Sequence, residues 1–244
     1  MNAMLFRLRL VLTTIGLTSG LAVQCVDLSA QQPPGRKPNV FLIMVDDLGW
    51  MDLHCQGSDR LGTPALDRLA QQGVRFLNAY AAAPVCSPSR AGLLTARYPV
   101  RAGVPGNVSS QQGQSGMPVG QVTIAETFRA AGFATAHIGK WHLGYEPQFN
   151  PMEHGWDDFF GYVGGNVHYF NHRETSNLHV LYRGRLPVYA EGYMTHLITD
   201  FSIKFIERNK DDPFFLYVSH ECPHFPFQGP NDAGKEVNKE NWMK

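Results

Sequence analysis

Four short stretches hold the side chains best suited to chemistry: Asp46 and Asp47, Cys86 with Arg90, Lys140 with His142, and His220 with His224. Adjacent carboxylates offer oxygen donors, which suit a hard divalent cation such as calcium or magnesium better than zinc. The same pair could simply cap or turn the chain. Cys86 opens "CSPSR", in which Ser87 reads as a helix N-cap and Pro88 as the first helical residue, so the sulfur stands at a helix N-terminus with Arg90 about one turn on. Free amides and a guanidinium at such a place favour an anion. Two chemistries follow: an anion site with a modifiable sulfur at its mouth, or a thiol nucleophile served by a histidine base. Lys140 and His142 in "GKWHLG" are two residues apart, so on an extended segment both face one ligand; a surface loop anchored by Trp141 is the plain alternative. His220 and His224, taken alone, read as buried, hydrogen-bonded histidines.

These residues need elements that bring them together. "NVFLIMV" (39–45) is a continuous apolar run, as expected of a strand buried on both faces of a parallel sheet, and it stops at Asp46. "TPALDRLAQQG" predicts a short helix with Thr63 as N-cap, Pro64 first, Leu66, Leu69 and Ala70 on one face and Gly73 as the stop. A strand at 74–80 and the Cys86 helix follow. Thr123 and Glu126 form a capping box for a helix ending at Gly132, before a strand over 133–139. Residues 145–190 read as loops with small strands. Met194, Leu197, Ile198, Phe201 and Phe205 share one helical face, and "PFFLYVS" (213–219) is a further buried strand. This alternation predicts an α/β fold, a largely parallel sheet flanked by helices, with ligands beyond the carboxyl ends of its strands. All four reactive stretches fall at those ends.

Composition bounds the rest. The 244 residues, 43% hydrophobic and 17% charged with a formal net charge of +0, describe a folded domain and exclude a broadly basic nucleic-acid binder. Arg7 and Arg9 followed by an uncharged run from Leu10 to Val23 read as an export signal (1–30) cleaved between Ala22 and Ala30, so the expected location is periplasmic or extracellular, with no membrane attachment after cleavage. Val23 and Gln24 fit lipid modification of Cys25 poorly. Residues 31–38 are a polar, Pro-rich linker to a domain over 39–244. Without Cys25 three cysteines remain, an odd set in which Cys55 and Cys222 could pair. Asn107 in "NVS" fits a glycosylation acceptor. The aromatic, His-rich stretch from Tyr162 to Tyr182 could line a substrate pocket or pack as a surface loop.

"CSPSRAGLLTAR" resembles the signature of the type I, formylglycine-dependent sulfatases, C-x-P-x-R followed by a small-residue helix and a T-G-R variant, here Thr95, Ala96 and Arg97. "PNVFLIMVDDLGWMD", "TPALDRLAQQGVRFLNAYAAAPVC" and "GKWHLG" are similar to successive blocks of that family, in its order, from about Pro38 to at least Pro226. "GKWHLG" and "PQFNPMEHGWDDFFGY" look most like the arylsulfatase and N-acetylgalactosamine-6-sulfatase branch. The resemblance implies an alkaline-phosphatase-like sandwich and hydrolysis of a sulfate monoester, a sulfated sugar or aryl sulfate. It implies that a maturing enzyme oxidises Cys86 to formylglycine, whose hydrate carries two hydroxyls. One attacks sulfur and the other expels sulfate as the aldehyde reforms. It further implies that Asp46, Asp47 and the oxygens derived from Cys86 hold one calcium ion, that Arg90 stabilises the hydrate, that Lys140 holds a sulfate oxygen, that His142 takes a proton and that His224 faces the ester oxygen. Family members are about twice this length and complete the calcium site with a later Asp-Asn pair and another lysine. Neither is found here, so the resemblance implies an amino-terminal portion, with the fold incomplete at its C-terminus and the activity of this chain alone in question. Two rivals stay open: a phosphatase or phosphonate-ester hydrolase of the same superfamily, and a non-catalytic module that binds sulfated glycans.

Overall fold

The computed structural model describes Gly35, residues 37–110 and residues 116–235. The expected signal segment, most of the linker and the last residues of the tail lie outside them. The elements below all belong to the unit Lys37–Lys244.

A six-stranded sheet runs in the order β1-β6-β2-β3-β4-β5, with β1 (Val40–Val45), β6 (Phe214–His220), β2 (Ala134–Lys140) and β3 (Asp158–Tyr162) parallel. The short β4 (Leu181–Arg183) and β5 (Leu186–Pro187) continue it antiparallel. The chain order is therefore not the spatial order, and the ends of β1, β6 and β2 come to one rim although they are far apart in sequence.

Helices cover both faces, and neighbouring residues of β6 show it. Phe215 stacks on Phe128 of α3 (Ile124–Ala130) at 4.3 Å between ring centroids, while Phe214 meets Phe205 of α4 (Met194–Asn209) at 5.7 Å. Successive strand residues point to opposite faces, so α3 and α4 lie on opposite sides. Phe160 of β3 stacks on Phe201 of α4 at 3.6 Å, and α4 buries Met194, Ile198 and Phe205 with Leu197 and Phe201 packed beside them, the face expected from the spacing. The capping box forms as read: Thr123 Oγ1 accepts the Glu126 N–H at 3.2 Å and Glu126 Oε2 accepts the Thr123 N–H at 2.8 Å.

Three expectations need correction. β1 is not buried on both faces: it is an edge strand, α4 packs over β2, β3 and β6, and Phe41 and Ile43 on the uncovered side are each 46% exposed. Residues 74–80 form no strand. Val74 and Tyr80 are 83% and 89% exposed, and no ladder partner lies alongside them among the described residues, without which β-propensity makes no strand. The apolar face of α1 (Pro64–Gln72) is likewise uncovered, with Leu66 and Leu69 exposed. Among the described residues no helix is long and apolar enough to cross a membrane.

Candidate active site

β1, β6 and β2 end at the same rim, and each delivers a reactive group there. Asp46 follows β1, its N–H reaching the His220 carbonyl at 3.2 Å and so extending the β1–β6 pairing by one step. Asp47 then takes a left-handed backbone with φ 59°, which turns its carboxylate outward beside the His224 ring, Oδ2 to Nε2 3.8 Å. Lys140 is the last residue of β2 and is fully buried. Just before it, Gly139 has φ +116°, and a Cβ there would stand 2.0 Å from the Ser219 carbonyl oxygen, so only glycine lets β2 and β6 approach this closely at the rim.

Cys86 begins α2 (Cys86–Thr95). The helix starts two residues earlier than the Ser-Pro signal suggests, with Val85 in the cap position and no side-chain cap of its own. Asn107 supplies the missing acceptor, its Oδ1 taking the Ser87 N–H at 3.0 Å. One turn on, the buried Arg90 donates to the Lys140 carbonyl at 2.8 Å, to Ser219 Oγ, and to Asp46 Oδ2 at 3.2 Å. That guanidinium ties α2 to the ends of β2, β6 and β1 at once. The Lys140 ammonium pairs with Asp46 and reaches Cys86 Sγ at 3.5 Å, and Cys86 Sγ lies 3.7 Å from Asp46 Oδ1. Asp46, Cys86 and His224 bring donor atoms within 4.8 Å of one another.

The electrostatics bear on one of the two chemistries left open for the sulfur, the thiol nucleophile. Burial pushes the Cys86 thiol up, and Asp46 adds to this against the opposing pull of Lys140 and Arg90. A catalytic thiolate needs the reverse shift, so the unmodified thiol is poorly placed as a nucleophile. Burial also works against the charge on Asp46, but Arg90 and Lys140 outweigh it and hold that carboxyl below its usual range. Burial, with Lys140 and Arg90 nearby, pushes the His142 imidazole down to about 3. His142 is thus neutral at physiological pH. Its Nε2 faces the Val108 carbonyl at 3.2 Å and must donate there, since a carbonyl only accepts; the lone pair is left on Nδ1, which is buried and has no partner among the described residues.

Lys140 and His142 share the site, but not through extended geometry, because His142 adopts φ 52° and bends the chain. Left-handed backbone at Asp47 and His142 marks strain held in place by surrounding structure, as is common at functional sites. His220 ends β6 outside the donor cluster, a half-buried histidine with burial pushing its imidazole down. Cys55 and Cys222 are free, Cys55 beside Asp67 of α1 and Cys222 beyond β6, so the expected pairing is not made.

Several contributing residues escaped the sequence reading. Asn107 was legible only as a glycosylation motif; Val108 acts through a backbone carbonyl, which no residue type signals. Gly165 abuts the imidazole: a Cβ there would lie 2.7 Å from His142 Nε2. Its amide is held by Glu174 at 2.9 Å, itself bonded to the Tyr145 hydroxyl at 2.6 Å. The stretch from Tyr162 to Tyr182 packs on the segment after β6, with the Val167 N–H on the buried Glu221 at 2.9 Å and the Tyr169 hydroxyl on the His224 carbonyl at 3.1 Å. It braces His224 from behind.

Oxygen donors from Asp46 and Asp47 therefore border Cys86 on one rim. They suit a hard cation in kind, but two carboxylates fall well short of the roughly six to eight ligands calcium takes. A model of the Sulfatase family matches residues 38–241. The chain belongs to the sulfatase family. Among curated sulfatases it is 35% identical over 243 residues to N-acetylgalactosamine-6-sulfatase of Mus musculus, which covers 90% of this chain and 44% of that protein. The solved structure of Ps i-CgsB in complex with k-i-k-neocarrahexaose superposes with a TM-score of 0.74 at 33% identity, covering 80% of this chain and 47% of the other. A second solved structure, BT4656 in complex with its substrate D-glucosamine-2-N,6-O-disulfate, gives a TM-score of 0.65 at 31% identity over 78% of this chain and 35% of that one. The chain thus spans about half the length, or less, of the sulfatases it matches. Its mostly parallel sheet between helices is the alkaline-phosphatase-like architecture of those neighbours.

Proposed function

We propose that residues 39–244 form the amino-terminal part of the catalytic domain of an exported sulfuric ester hydrolase, and that Cys86 is its reactive position. The substrate class we infer is a sulfated sugar or an aryl sulfate. One observation carries the reading: in a chain of the sulfatase family, a buried ammonium, a buried guanidinium and a carboxylate converge on a sulfur whose thiol is pushed up instead of down.

Each side chain has a part. Lys140 and Arg90 offset negative charge on sulfonyl oxygens beside Cys86, in a site where low polarisability magnifies each charge. Neutral His142 presents Nδ1 as the acceptor for a proton leaving the attacking group, its other nitrogen being fixed by Val108. His224, whose ring faces Asp47 and shares a donor cluster with Asp46 and Cys86, would face the departing ester oxygen. Asp46 and Asp47, with the oxygens that replace the Cys86 sulfur, would hold calcium, which supplies fixed positive charge to the sulfate oxygens. Formylglycine, installed at Cys86 by a sulfatase-maturing enzyme, would supply paired hydroxyls, one to accept the sulfonyl group and one whose loss of a proton lets the carbon–oxygen bond break, so that sulfate leaves as the aldehyde re-forms without attack by water at sulfur.

The test is co-expression with a maturing enzyme, in this chain and in a version extended to the length of the relatives. Mass spectrometry of the Cys86 peptide should show the aldehyde, and the extended protein should turn over aryl sulfate in preference to aryl phosphate. A persistent thiol sinks the modification; a clear preference for phosphate sinks the substrate class.

A further inference from the structure

His142 and the first turn of α2 are connected by three hydrogen bonds that pass through one dipeptide. Asn107 Oδ1 accepts the Ser87 N–H at 3.0 Å, the Val108 N–H donates to Ser87 Oγ at 3.1 Å, and the Val108 carbonyl accepts from His142 Nε2 at 3.2 Å. Ser87 is fully buried and directly follows Cys86, so the reciprocal pair holds the helix turn that carries the sulfur. Val85, in the cap position, contributes no side-chain acceptor, and Asn107 takes that role from 20 residues away.

We propose that Asn107 is a positioning residue: with Ser87 it fixes Val108 so that the His142 imidazole keeps one tautomer and one distance from position 86. The meaning of this for catalysis rests on Cys86 and His142 being the reacting pair; the clamp itself does not. Without the carboxamide, one of the two bonds between α2 and the dipeptide is lost, the Val108 carbonyl is held from one side only, and the imidazole is free to exchange its proton between nitrogens.

The experiment uses the unmodified chain with labelled histidine and reads the His142 Nε2–H by heteronuclear NMR, assigned by its disappearance in His142→Gln. Four proteins are compared: the parent, Asn107→Ala, Asn107→Asp and Ser109→Ala. The parent and Asn107→Asp, which keeps an acceptor oxygen in place, should show one Nε2-protonated tautomer with slow proton exchange. Asn107→Ala should lose that signal or exchange it at least about tenfold faster, with its melting temperature within a few degrees of the parent. Ser109→Ala, which destroys the glycosylation motif and keeps the Asn107 side chain, should match the parent. If Asn107→Ala fails to fold, Ser87→Ala, which removes the Val108 contact, is read in its place with the same expectation. Retention of the parent signal in Asn107→Ala, or its loss in Asn107→Asp as well, overturns the proposal. Because no turnover is measured, a clamp that holds alongside a Cys86 that is never modified would count against the sulfatase chemistry alone.

Discussion

Lys140 and Asp46 act on the Cys86 sulfur with opposite signs, and this can be measured before any modification occurs. The ammonium favours the thiolate and the carboxylate opposes it. The pH midpoint of Cys86 alkylation should therefore rise in Lys140→Met and fall in Asp46→Asn. Asp46→Asn also leaves two buried cations without their shared counter-charge, for which a loss of about 3–5 kcal/mol in chemical denaturation is expected. Gly165 yields a second prediction at this scale. An alanine methyl would stand 2.7 Å from the imidazole, so Gly165→Ala must displace His142 or its own loop. In a matured, extended enzyme kcat should fall by about tenfold or more with a smaller change in KM, because a misplaced proton acceptor affects the chemical step more than binding. Equal changes in both would place Gly165 in substrate binding instead.

At the scale of elements, the rim is assembled by crossovers. Parallel pairing sets β6 between β1 and β2, so residues 46, 140 and 220 become neighbours in space. α3 depends on its capping box, and Thr123 has a second task, its hydroxyl donating to the His154 carbonyl at 2.7 Å. Thr123→Ala removes both contacts at a buried position and should cost about 1–2 kcal/mol in urea denaturation, with Thr123→Ser recovering most of it. Loss of helix content without recovery by serine would mean that the methyl group, not the hydroxyl, secures this end.

For the molecule as a whole, several buried neutral histidines dominate the response to acid over the opposite slope of one buried carboxyl, Glu221, which burial pushes up. Burial pushes His137 and His142 down to about 3 and His154 to about 4, against 6.5 for a free imidazole. Between these limits the unfolded chain binds protons that the folded chain does not. Stability is fully present above pH 6.5 and falls as pH drops toward 3, each histidine adding a slope of up to about 1.4 kcal/mol per pH unit. Urea midpoints measured from pH 7.5 to 4.5 should decline steadily, and less steeply in His154→Phe. A flat profile over that range would contradict the neutral burial of these rings. Calcium responds at the same scale. With two carboxylates on the rim of the described residues, this chain should bind calcium more weakly than a version extended to the length of its relatives, by isothermal titration; equal affinities would show that the rim needs no further ligands.

Much of this was legible in the residues themselves. "NVFLIMVDD", "CSPSR" and "GKWH" announced a strand end with two carboxylates, a helix start with a sulfur and a guanidinium, and a lysine near a histidine, because capping, apolar runs and charge are local properties. The fate of an apolar segment was not local. Residues 40–45 became an edge strand with one bare face, and 74–80 became no strand at all, since pairing and cover depend on what lies alongside. Nor could sequence show that the thiol is pushed up, that His142 reaches its place through a left-handed bend, or that Asn107 caps a helix begun 21 positions earlier. Residue type determined which chemistry was available. Tertiary structure decided which side chains meet and how burial shifts their charges, because burial and the distance between charges exist only once the strands have crossed.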